Sequence, residues 1–76
     1  MSQQHYQNGL RYGDRVTKSI VRDNIVGELQ YMECEYTREI DFARNLGENG
    51  YYSRQRHIDF MKGYIESVRK NLAISN

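Results

Sequence analysis

Val21, Ile25, Leu29, Met32, Tyr36, Ile40, Ala43 and Leu46 recur at steps of four and three through the middle of the chain. At 100° per residue these positions share a sector of about 120°, so a helix here carries one continuous apolar stripe that has to be covered. A second periodic run, Ile58, Met61, Ile65, Val68 and Leu72, steps by three, four, three and four, with Tyr51 and Arg54 in phase before it. Between the two lies Asn45-Leu46-Gly47-Glu48-Asn49-Gly50. Gly47 suits the left-handed residue just past a helix end, and Asn49-Gly50 is a turn dipeptide. No proline interrupts either run.

These signals predict an all-α fold. A long helix runs from an N-cap at Asp14 through Arg15 to Leu46, and a tight turn leads to a shorter helix capped by Ser53. Two helices joined this closely pack as an antiparallel helical hairpin. Folding about residue 48 or 49 sets Met32 near Ile65, Leu29 near Val68 and Ile25 near Leu72. Residues 1–13 are polar and broken by Gly9 and Gly13, so they read as a mobile N-terminal arm, with 14–76 as a single hairpin domain.

A chain of 76 residues buries a small core and usually needs a disulfide, a metal or a partner. Cys34 is the only cysteine, and His5, His57 and Cys34 show no zinc-type spacing, so neither a disulfide nor a metal or other cofactor is expected. A partner subunit remains. The long helix starts before the second helix can reach it, leaving Val16 and Ile20 uncovered. Val16, Ile20, Gly27, Tyr31, Cys34 and Phe42 form a weaker seam opposite the main stripe, and Phe60 and Tyr64 flank the seam of the second helix. Gly27 and Gly63 each cost about 1 kcal/mol inside a helix, which close backbone approach explains. The expectation is a homodimer with a four-helix arrangement, self-associating through Val16, Ile20, Gly27, Tyr31, Phe42, Phe60 and Tyr64.

Catalytic chemistry finds little support. Glu28, Glu35 and Glu39 border the main stripe, yet no Glu-x-x-His pair accompanies them as a bundle metal site requires. Glu39 instead lies opposite Arg54, His57 and Ile58 in the hairpin, where a register-fixing salt bridge is expected. Ser53 and His57 stand one turn apart without an orienting acid, and Cys34 reads as a small residue at a packed contact. A non-enzymatic chain is the reading.

Charge is segregated: residues 1–22 carry +3, residues 23–48 carry −5 and residues 49–76 carry +3. Most of the last block faces the acidic middle inside the hairpin. Arg11, Arg15, Lys18 and Arg22 differ, for steps of four, three and four put them on one stripe beyond reach of the second helix. With Tyr51, Tyr52, Arg54 and Arg56, whose arginines fall in a first helical turn where the macrodipole disfavours cations, they are the candidate partner-binding residues. Another protein is the expected partner, an acidic surface or the acidic middle of a second chain being what such a stripe fits; nucleic acid is the alternative, weakened by a net charge of only +1. No run is long enough for a membrane span and no leader pattern opens the chain, so the sequence reads as a cytoplasmic adaptor, inhibitor or regulator, or a subunit of a larger assembly.

Overall fold

The computed structural model describes residues 3–19 and 22–74, with side chains placed for 4–19, 23–47 and 54–73. Among these residues the structure is all-helical: α1 (Gln3–Ser19), α2 (Arg22–Asn45) and α3 (Gly47–Ile74). α3 is the axis. It packs against α1 on one side and α2 on another, while α1 and α2 scarcely touch.

The α2–α3 pair is the hairpin that the two apolar runs predict. Ile25, Tyr64, Ile65 and Val68 form the buried cluster, and Leu29, Met32, Tyr36 and Leu72 pack onto it. Ala43, Ile58 and Met61 continue the buried surface. Burying each large apolar side chain stabilises by about 1.5–3 kcal/mol, which is what α2 gains from its stripe. Gly47 does adopt the left-handed conformation, with φ at 85°, and the Leu46 amide closes the end of α2 on the Phe42 carbonyl at 3.1 Å. The turn is tighter than expected, because α3 starts at Gly47 and runs through residue 53. Ser53 is therefore inside a helix, and its predicted capping role does not hold. Leu46, placed on the core stripe by its spacing, is 50% exposed at this turn.

The N-terminal part departs from expectation. Residues from Gln3 onward form a helix instead of an arm, and no single helix runs from Arg15 to Leu46. α1 lies parallel to α3: Gly9 meets Phe60 and Tyr64, Gly13 meets Tyr64 and Ser67, and Thr17 meets Asn71. α2 runs antiparallel to both, Glu39 pairing with Arg54 and Glu33 with Arg69 along α3. The reason is energetic. Continuing the helix saves a few backbone hydrogen bonds of about 1 kcal/mol net each. Folding α1 back covers the second apolar face of α3, and leaves Tyr64 only 2% exposed.

The glycines make this contact possible. A Cβ on Gly63 would run into the Tyr6 carbonyl, and one on Gly9 into the Phe60 carbonyl. Only residues without side chains let the two backbones approach so closely. Close approach at Gly63 was expected from the sequence, but the covering helix is α1 of the same chain. Phe60, Tyr64 and Val16, expected to wait for a second copy, are covered within the chain: Tyr12 packs on Phe60 and Tyr64 at 5.7 and 5.6 Å between ring centroids, and Val16 joins the core cluster.

Candidate functional site

Three groupings of polar and exposed residues stand out, and each follows from how α3 is clothed. The first clamps α1 to α3. Asp14, expected as a helix cap, sits inside α1. Its Oδ1 accepts hydrogen bonds from Ser67 Oγ at 2.6 Å and Asn71 Nδ2 at 2.9 Å. Asn71 Nδ2 also reaches Thr17 Oγ1 at 2.9 Å. The donated bonds, Ser67 first and Asn71 next, hold the Asp14 carboxyl below its ordinary value. At the other flank Tyr6 donates to Glu66 at 2.8 Å, and that bond raises the phenol. Sequence reasoning missed this clamp. Its legible signal was a pair of matching small-residue ridges, Gly9-x-x-x-Gly13 and Gly63-x-x-x-Ser67.

The second grouping lies near the hairpin turn. Arg54 Nη1 donates to Glu39 Oε2 at 2.7 Å, and the guanidinium sits 4.3 Å from the centre of the Phe42 ring. The predicted Glu39 salt bridge is present, with Arg54 as its partner; His57 is exposed. Glu35, Arg38, Glu39, Phe42 and Arg54 line a shallow hollow of about 320 Å³. Glu35 pairs with Arg38 at 3.3 Å. A second hollow, of about 250 Å³, is bordered by the Glu33–Arg69 ion pair and by Tyr36 and Ile65. Thr37, Lys62 and Glu66 complete the lining of the second hollow.

The third grouping is the outward side of α1. Arg11, Arg15 and Lys18 are exposed there, and none makes an ion pair among the described residues. Arg22 opens α2, so it belongs to a helix running the other way and does not extend the stripe. Its side chain, with those of Ile20, Tyr51 and Tyr52, lies outside the described residues. Of the expected tip residues, Arg54 is engaged inside the hairpin, while Arg56 is exposed. Because α3 begins at Gly47, both arginines stand well inside the helix and the predicted dipole misfit disappears.

Gly27, Tyr31 and Phe42 of the expected self-association seam remain at the surface. Tyr31 is 63% and Phe42 48% exposed, and nothing lies within 4 Å of a Cβ built on Gly27. Cys34 is an exposed free thiol. No group of three or more metal-ligating side chains occurs among the described residues, and no helix among them is long and apolar enough to cross a membrane. Comparison with known protein families, curated proteins and solved structures finds no match to this chain.

Proposed function

We propose that the chain is a non-enzymatic interaction protein, an adaptor, inhibitor or regulator, that self-associates as a homodimer and docks on an acidic protein surface through the outer side of α1. The observation that carries this reading is the unpaired line Arg11, Arg15 and Lys18. Arg38, Arg54 and Arg69 each have an acid within their own chain, whereas the single acid of α1, Asp14, gives its hydrogen-bonding to Ser67 and Asn71, with Lys18 adding only a weaker charge effect on it. A line of cations one helical turn apart costs self-repulsion and contributes little to folding, and an anionic surface compensates it on binding.

The experiment is capture of partners from a lysate of the source cells, with the unmodified protein and with Arg11→Gln/Lys18→Gln as baits. Both substituted residues are exposed, so helicity is expected to stay the same. The reading expects a discrete protein partner whose recovery falls at least about tenfold with the variant and with added salt. Equal recovery by both baits removes the stripe from the interface. Nucleic acid co-purifying with the unmodified protein, and lost on the variant, moves the reading to the nucleic-acid alternative.

A further inference from the structure

The exposed apolar side chains are not scattered. Tyr12 of α1 packs on Tyr64, Ile25 of α2 shares the buried cluster with it, and burial first, then the Glu28 carboxylate, raises the Tyr64 phenol. α1 and α2 scarcely touch each other, so a furrow lies between them along Tyr64. At 100° per residue Tyr31 falls about 60° from Glu28 on α2, and Arg15 lies about 60° beyond Tyr12 on α1. Tyr12 and Tyr31 are 47% and 63% exposed. Phe42 shares this side of α2 nearer the turn, where it packs under Arg54.

Charge divides across the groove. The α1 side brings Arg15, and the α2 side brings Glu28; neither makes an ion pair in its own chain among the described residues.

We infer that a second copy of the chain covers this face, related by a two-fold axis parallel to the helices, so that α1 of each copy lies antiparallel on α2 of the other. Such an axis preserves height along the bundle. α1 ascends with α3 while α2 descends, so one turn up from Tyr12 on α1 is Arg15, and one turn up from Tyr31 on α2 reaches Glu28. Tyr12 of one copy then meets Tyr31 of the other, and Arg15 meets Glu28, twice over. The interface is isologous and closes at two chains. Arg15 is thereby taken up by the second copy, and of the basic line it is Arg11 and Lys18, at the outer edge, that stay clear for a third molecule. This inference rests on the reading of the chain as a homodimer and adds which face is used and by what symmetry.

The test is a charge swap read by sedimentation. Arg15→Glu and Glu28→Arg each place like charges at both contacts, so each variant alone is expected to dissociate at least about tenfold more readily than the unmodified protein. Mixed in equal amounts, the two variants restore both opposite-charge contacts and are expected to form a one-to-one heterodimer. Substitution of these exposed side chains leaves helicity by circular dichroism unchanged in the monomers. A concentration-independent monomer for the unmodified protein across the micromolar range overturns the homodimer reading and this inference together. A stable dimer that neither variant weakens, or two weakened variants that do not re-form a dimer on mixing, overturns the inference alone and moves the contact to another face.

Discussion

Asp14 Oδ1 accepts from Ser67 and Asn71 at once, and the hydrogen bonds favour the charged carboxylate over the acid. A carboxyl held below its unfolded value of 3.8 in this way adds stability that is fully present above that value and is lost as pH falls through the folded one. The thermal midpoint should therefore decline on acidification below about pH 3.8. Asp14→Asn should lower the midpoint near neutrality and flatten the acid decline, and parallel curves for the two proteins would show that the clamp carries no linkage. Glu39 gives a second residue-level prediction, since its ion pair with Arg54 is half-buried, the side chains being 20% and 37% exposed. Glu39→Ala strands Arg54 over the Phe42 ring and should cost about 1 kcal/mol. Glu39→Met keeps the aliphatic packing and should cost less in urea unfolding; equal losses would mean that the charge and not the packing is what counts.

At the scale of elements the glycines divide by what surrounds them, and the division predicts effects of opposite sign. Gly63→Ala and Gly9→Ala push a methyl group into the facing backbone of α1 or α3 and should each cost about 2 kcal/mol or more. Gly27→Ala meets nothing within 4 Å, removes an expensive helical glycine, and should stabilise by about 0.5–1 kcal/mol. Denaturant midpoints of the three variants check this, and a destabilising Gly27→Ala would reveal a neighbour at that position. The same division explains how far the sequence could be read. The α2–α3 hairpin was legible because Ile25, Leu29, Met32 and their partners on α3 repeat with a clean helical period. Arg54 and Glu39 followed from the register that the hairpin imposed. α1 was not legible, because its buried face is made of Gly9, Gly13 and Val16, and glycine carries no hydrophobic signal while lowering helix propensity. Tertiary contact with Gly63 and Ser67 overrides that propensity, and only the matching of two small-residue ridges could have announced it. The dipole misfit expected for Arg54 and Arg56 rested on a helix start at Ser53, and it vanishes because the helix begins at Gly47.

For the whole molecule, the arrangement of three helices about one axis makes stability uneven. α3 is covered on two sides, whereas α1 and α2 each lean on α3 and scarcely on one another. Either outer helix can leave without breaking the other's contacts, and the smaller loss should open first. α2 brings Ile25, Leu29, Met32, Tyr36 and the fully buried Ala43 to α3. α1 brings Val16, two glycines, the ring of Tyr12 and the Asp14 hydrogen bonds. α1 makes the more extensive approach to α3 of the two, but much of it is glycine backbone; apolar burial outweighs hydrogen bonds that water also offers, so α1 is expected to be the weaker attachment. Amide hydrogen exchange should then show α1 exchanging fastest through undocking, α2 slower, and the stretch of α3 from Met61 to Val68 slowest, at the free energy of global unfolding. Gly63→Ala should accelerate α1 further while leaving α2 close to its original rates, because only the α1 contact is strained. If α1, α2 and α3 instead exchange at one common free energy, and the substitution lowers all three equally, the chain unfolds as a single unit and the two outer helices are coupled through contacts beyond those on α3.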